Sequence, residues 1–354
     1  MRILDRYIAG AVIGGTFMAL AALLPLIGFF ILADEIDQIG ERDYHFVDAL
    51  IYVALNMPRY LYQVFPIATL IGALIGLGSL AARSELVAMR AAGLSIGRIV
   101  FAAIQGGILL TLVAVAIGEV VAPFTQQQAL QMRTQALTGH VMQRTPSGVW
   151  ARDGLAFVNI REVVSGGHLR DIHIYELAPD QALTLATHAR EARFSGGHWT
   201  LEEIARSHVS PEGVQVERID LARWDSLLDP RLLEVIVVEP QALPVWDLYR
   251  YIRYLDTTEQ DARAYQIALW AKIAYPVLIL AMILVAIPIL VGSARTPGLG
   301  PQIVAGIVIG VLFYIFSRTL VYLSLVFHLD PMLAAVLPPL LFLLSAFWLL
   351  RRIG

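Results

Sequence analysis

The sequence predicts an α-helical integral membrane protein with six transmembrane helices and an all-β domain inserted between helices 3 and 4. Three observations carry this. The 354 residues are 57% hydrophobic with a mean hydropathy of +0.66, which is too apolar for a soluble enzyme. Six apolar runs are long enough to cross a hydrocarbon core of ~30 Å, which takes ~20 helical residues. The charges, 16% of the chain, gather instead between Pro123 and Arg263.

The first span, Ile8–Leu32, follows Arg2 and Arg6. No small-residue cleavage site closes a short apolar core there, so the run is expected to be retained. Ala33 to Arg59 is an acidic loop holding Asp34, Glu35, Asp37, Glu41, Asp43 and Asp48. Spans two and three, Leu61–Leu80 and Ile99–Ala122, enclose a charged island from Ala81 to Arg98. The island predicts a short helix near 82–93: Leu86, Met89 and Gly93 share one face, Ser84 stands as N-cap and Gly93 as C-terminal stop.

Beyond Pro123 the periodicity changes. Val149–Ala151, Leu155–Ile160, Asp171–Leu177, Leu183–Ala186, Ala189–Phe194, Trp199–Ser207 and Val214–Leu221 are strand-like, divided by turn signals such as Pro179-Asp180. A sandwich, jelly roll or partly open barrel fits this spacing. Ile172/Ile174 and Val214/Val216 alternate as if one face turned inward. From Pro244, Leu248, Ile252 and Leu255 with Tyr249, Tyr251 and Tyr254 make an amphipathic helix expected at the membrane surface. Ile267–Val291, Pro301–Phe327 and Met332–Leu350 complete the spans, so the chain divides into 1–122, 123–246 and 247–354.

Short-loop arginines set the orientation. Arg2, Arg6, Arg83, Arg90, Arg98, Arg295, Arg351 and Arg352 fall on one side against Arg42 and Arg59 on the other, which puts both termini and the island in the cytoplasm. The β domain follows an odd number of crossings and lies outside. A helix held between two spans is a surface that a cytoplasmic protein can push.

Composition also excludes functions. The single lysine, Lys272, has no glycine near it, so there is no Walker A motif and nucleotide-driven work needs a partner. There is no cysteine, and no basic run suggests nucleic acid. Gly93-Leu94-Ser95-Ile96-Gly97 matches a nucleophile elbow in letters, but that motif needs a strand before the serine, and a helix stands there. Of the eight histidines (His45, His140, His168, His173, His188, His198, His208 and His328), His188, His198 and His208 recur at spacing ten. They read as surface residues, and no metal or bound cofactor is expected. Gly10/Gly14, Gly72/Gly76 and Gly306/Gly310 are small-xxx-small pairs that let helices approach closely. Glu119 and Arg318 are ionisable residues near span ends, and Arg133 stands just outside span three; the two arginines are candidate anion contacts.

The island Arg83-Ser84-Glu85-Leu86-Val87-Ala88-Met89-Arg90-Ala91-Ala92-Gly93 carries a resemblance. So do Leu4-Asp5-Arg6-Tyr7-Ile8, Gly118-Glu119-Val120-Val121-Ala122-Pro123, Tyr251-Ile252-Arg253-Tyr254-Leu255 and Tyr265-Gln266 with Trp270 and Lys272. Together they resemble the LptF/LptG family of lipopolysaccharide export permeases over nearly the whole chain, and the island with Asp5-Arg6-Tyr7-Ile8 favours the LptG branch. The resemblance implies a non-catalytic inner-membrane subunit that extracts lipopolysaccharide from the outer leaflet. It implies pairing with LptF, an LptB dimer that burns ATP with Mg, regulation by LptC and a periplasmic LptA-like bridge. It makes the β domain a periplasmic jellyroll. Arg83, Ser84, Glu85, Leu86, Met89, Arg90 and Gly93 then form the coupling helix, with Glu85 as the family's coupling acid. Spans one and five become lateral gates, with Gly10, Gly14, Gly306 and Gly310 as packing and gate candidates, and Arg133, Arg318 and Glu119 become substrate-binding candidates. Where some relatives carry lysines at the outer end of span one, this chain has Asp34, Glu35 and Asp37, so an anion held there would need a bridging divalent cation. The alternatives are an LptF-like partner subunit and a stand-alone secondary transporter; the latter wants midplane ionisable groups and broken spans.

Overall fold

The computed structural model describes residues 3–41, 43–138, 142–153, 156–164, 168–178, 182–195, 198–210, 213–224, 240–258, 260–292 and 299–353. Arg2, Arg42, His140 and Arg295 lie outside them. The chain forms two units: Met1–Ile36, Val53–Gln126 and Arg263–Gly354 make a helical membrane unit, while Asp37–Tyr52 and Gln127–Ala262 make a β unit.

The helices are α1 (Ile3–Glu35), α2 (Phe46–Ala82), α3 (Glu85–Ala91), α4 (Ile96–Ala116), α5 (Ala122–Thr138), α6 (Val245–Thr257), α7 (Arg263–Gly292), α8 (Leu299–Phe327) and α9 (Pro331–Ile353). Among the described residues six helical segments are long and apolar enough to span a membrane, as expected. In the membrane unit α7 packs on α4 and α9, and α1 on α4. Leu70, Leu74, Ala102, Leu110, Ile279, Ile283 and their neighbours form its core. The α2 and α7 spans are the most buried; α8 and α1 keep the most surface open.

The second span differs from expectation. Its helix begins at Phe46, so most of the presumed acidic loop is helical. The signal is local: the Asp48 carboxylate accepts from the His45 backbone N–H at 2.8 Å, a side chain reaching back over the first turn. The short helix α3 ends where glycine predicts. Gly93 has φ +89°, its N–H donates to the Arg90 carbonyl and the Leu94 N–H to the Met89 carbonyl, both at 3.0 Å. That is a Schellman ending, which satisfies carbonyls the helix leaves open. Ser84 holds the N-cap position but does not cap: its backbone is left-handed (φ 60°) and its side chain makes no capping bond.

In the β unit, β1 (Met142–Asp153), β2 (Ala156–Val164), β3 (His168–Leu177), β4 (Leu183–Ser195), β5 (His198–Ser210) and β6 (Gly213–Trp224) pair antiparallel in sequence order. The two short runs 183–186 and 189–194 are one strand, β4. Side chains of a pleated strand alternate, yet the buried residues step by three: Leu169 to Ile172, Ala189 to Ala192, Leu201 to Ile204. These steps are in register across the strands. At that line Asp171 and Glu203 take left-handed φ of 52° and 51°, which changes the inward parity while one face stays buried. Ile172 and Ile174 face the core as expected, but Val214 and Val216, on the last described strand, are 61% and 65% exposed. The apolar face of α6 is buried in protein instead of lying open: Leu248, Tyr251, Ile252 and Leu255 are buried, and Tyr254 packs on the β core.

Candidate functional site

The foot of α1 is fastened to the short helix. The Tyr7 hydroxyl donates to Glu85 Oε2 at 2.6 Å. Two residues earlier, the Arg98 guanidinium donates through Nε and Nη2 to both oxygens of the buried Asp5 at 3.2 and 3.1 Å, a forked, charge-assisted pair. Ser95 caps α4 by accepting from the Arg98 N–H at 3.3 Å, so the elbow-like serine is a helix cap. Leu86, Met89 and Leu94 turn towards the membrane core, while Arg83, Ser84, Val87 and Arg90 are exposed. The Tyr7–Glu85 bond thus links α3 to α1, and the exposed side of α3 carries Arg83 and Arg90.

A second polar cluster is buried. The α4–α5 junction, Ile117–Val121, is a π-helical turn holding Glu119. Its carboxylate meets Lys272 Nζ of α7 at 2.6 Å, with side chains 13% and 6% exposed. The Tyr62 ring lies 5.6 Å from that ammonium and stacks on Tyr275 at 4.1 Å. A Cβ at Gly118 would strike the Tyr62 ring. The Tyr275 hydroxyl donates to the Tyr62 carbonyl at 2.6 Å. That carbonyl needs the bond, because the residue four positions on is Pro66, which has no N–H to give.

Glycines close the α1–α2 seam. A Cβ at Gly15 would collide with the Gly72 carbonyl, one at Gly72 with the Thr16 backbone, and one at Gly76 with the Ala11 carbonyl. Gly306 and Gly310 face Leu74 and Ile67 of α2, whereas Gly10 and Gly14 have open space beside them. A cleft of about 190 Å³ between α2, α7, α8 and α9 is lined by Gln63, Tyr275, Phe313, Tyr314 and Arg318 among others, and the Arg318 guanidinium lies 5.4 Å from the Tyr314 ring. In the β unit, Arg133 Nη2 donates to Gln38 Oε1 at 2.6 Å and the guanidinium lies 5.2 Å from the Tyr52 ring.

Comparison with known proteins decides the family. The model of the lipopolysaccharide export system permease LptF/LptG family matches residues 6–352. The chain belongs to that family. It is 35% identical to the lipopolysaccharide export system permease protein LptG of Escherichia coli K12 over 353 residues, covering 99% of this chain and 98% of the relative. It is 34% identical to the protein of that name from Haemophilus influenzae Rd over 351 residues, again 99% and 98%. This LptF/LptG family member is thus a multi-pass membrane protein and a permease by descent.

Set against the sequence, Glu85, Leu86, Met89 and Arg90 lie on α3, with Arg83, Ser84 and Gly93 at its ends. Arg133 belongs to the β unit and Arg318 to the membrane unit. Glu119 faces Lys272. Sequence alone assigns no contact or site role to Asp5, Tyr7, Arg98, Gly15 or Tyr62, whose partners lie far along the chain. The histidines also regroup. His188 stands opposite His173 and Ala205, while His198 pairs with Ser195 and His208 with Leu185, so the spacing-ten set is dispersed. Burial pushes the Asp171 carboxyl up, but the His188 hydrogen bond and the nearby His173 and Arg161 outweigh it and hold it below the usual range. Burial, then the neighbouring His188, lowers the pKa of His173.

Proposed function

We propose that the chain is a half-permease of a lipopolysaccharide exporter in the bacterial inner membrane, with both termini cytoplasmic and the β unit periplasmic. It pairs with LptF and is driven by an LptB dimer that binds ATP and Mg. LptC regulates it, and lipid passes to a periplasmic LptA-like bridge. The chain itself binds no cofactor and performs no hydrolysis.

One observation supports this above the rest: α3 offers an exposed arginine-flanked face and is hydrogen-bonded through Glu85 to Tyr7 of α1. In this reading the partner ATPase seats on Arg83, Ser84 and Arg90, and its closure displaces α3. Glu85 and Asp5–Arg98 carry that displacement into α1, one of the two least buried spans and a lateral gate. The other open span, α8, is the second gate. Arg133 and Arg318 meet anionic groups of the lipid at successive stations.

The test is Arg90→Glu and Glu85→Lys in a strain that depends on this chain for export. Both variants should insert into the membrane, lose co-purification with the ATPase and stop export. Unchanged co-purification and export would remove α3 from the mechanism.

A further inference from the structure

We propose that Asp171, His173 and His188 form a binding site for a borderline divalent cation of the zinc class on the outward face of β3 and β4. The placement comes from strand register: His173 and His188 are direct cross-strand partners, and their rings stack at 4.5 Å with an interplanar angle of 28°. Both Nε2 atoms point at a single oxygen, Asp171 Oδ1, at 3.1 and 2.8 Å. Asp171 reaches that position from a left-handed backbone (φ 52°), one of four such non-glycine residues among those described. A left-handed aspartate is uncommon outside turns, and strain of this kind concentrates at ligand sites.

The donor set then selects the ion. The three ligand atoms all lie within 4.8 Å of one another. Zinc binds imidazole nitrogen and carboxylate oxygen at about 2.0–2.2 Å, which separates tetrahedral ligand atoms by about 3.3 Å. Each imidazole nitrogen needs to move only a few tenths of an ångström from Asp171 Oδ1, from 3.1 and 2.8 Å, to reach that separation. Two imidazoles favour Zn²⁺, Ni²⁺ or Cu²⁺, whereas Mg²⁺ and Ca²⁺ prefer all-oxygen shells. The Arg161 Nε, 3.6 Å from Asp171 Oδ2, occupies the other carboxylate oxygen and orients the ligand from behind. Side-chain exposures of 40%, 26% and 45% for Asp171, His173 and His188 leave a fourth position for water, so the ion is exchangeable, not sealed in. Bound there, it ties β3 to β4 beside the line where the sheet changes parity. The sequence reading, which took the histidines as surface residues, expects no metal here.

The experiment uses the full chain in detergent, purified through a histidine-free tag and stripped with chelator. Titration with ZnCl₂ is followed by calorimetry and by bound metal after desalting, with MgCl₂ as the control ion. The wild type should take up one zinc per chain that excess magnesium does not displace, and its unfolding temperature should rise with zinc. The His198→Ala/His208→Ala double variant should behave like the wild type. His173→Ala/His188→Ala should lose that zinc and the thermal shift. Asp171→Asn, which preserves shape but removes charge, should bind weakly while melting like the metal-free wild type, and serves should the histidine pair fail to fold. Equal zinc uptake by Asp171→Asn or by the histidine variant, or none by the wild type, overturns the proposal.

Discussion

The membrane unit uses charge in two ways, and the contrast separates transmission from clamping. At the foot of α1, Asp5–Arg98 and Tyr7–Glu85 lie where at least one partner is solvated: the Arg98 side chain is 32% exposed and Tyr7 is 45% exposed. At Glu119–Lys272 both partners are withdrawn, inside a π-helical turn and beneath two stacked tyrosines. An exposed contact breaks at little cost because water replaces the lost partner. A withdrawn one cannot be broken without leaving a bare charge in an apolar place. Tyr7–Glu85 is therefore the contact that can change partners at little cost; Asp5, with its side chain 6% exposed, is nearly as withdrawn as the Glu119–Lys272 pair that ties α4 to α7.

The largest expected effect follows from that difference. Lys272→Ala should destabilise the chain by about 3–5 kcal/mol, since Glu119 is left without its ammonium. Replacing both partners, Lys272→Met with Glu119→Leu, should recover most of the loss, because what costs is the unpaired charge. Thermal unfolding in detergent measures both. A double variant as unstable as the single one would mean that the pair contributes more than mutual neutralisation. Next in size is the α1–α2 seam. Gly72→Ala should cost about 1–3 kcal/mol, as the Cβ must push the Thr16 backbone aside. Gly14→Ala, with open space beside it, should gain about 0.5–1 kcal/mol from helix propensity alone. Equal effects at the two positions would show that the helices are less closely apposed.

Gly93→Ala comes third. Alanine at φ +89° should cost about 1–2 kcal/mol and fray the end of α3. If partner binding persists undiminished in that variant, the docked face must lie nearer Arg83 than Gly93.

Much of this architecture was legible in the residues. Apolar length alone located six spans, and Gly93 marked the end of the short helix because few other residues tolerate a left-handed backbone. Turn residues divided the strands. Where the sequence and the structure differ, part of the cause is contact between residues distant in sequence. Ala33 to Arg59 reads as a polar connection because of its acidic residues, yet from Phe46 onward it is part of α2. Glu119 and Lys272 are 153 positions apart, and no local pattern joins them. Val214 and Val216 alternate correctly for a strand, but alternation does not say which face, if either, is covered. The His173–His188 pairing depends on the register of β3 against β4, which an even spacing of histidines along the chain does not give.

Tyr7→Phe is expected to be the smallest in stability and the most informative about mechanism. The lost hydrogen bond is solvated on the Tyr7 side, so water replaces it and the melting curve should barely move. Glu85 remains, α3 keeps its Schellman ending, and the exposed arginines are untouched, so ATPase docking should persist. What disappears is the direct link from α3 to α1. If displacement of α3 reaches the gate through that hydroxyl, the partner will still bind and hydrolyse ATP while export falls, an uncoupling that loss of stability cannot imitate. If export is intact, the load must pass through Asp5 and Arg98, and Asp5→Asn in the Tyr7→Phe background should then produce the uncoupling that the single change does not.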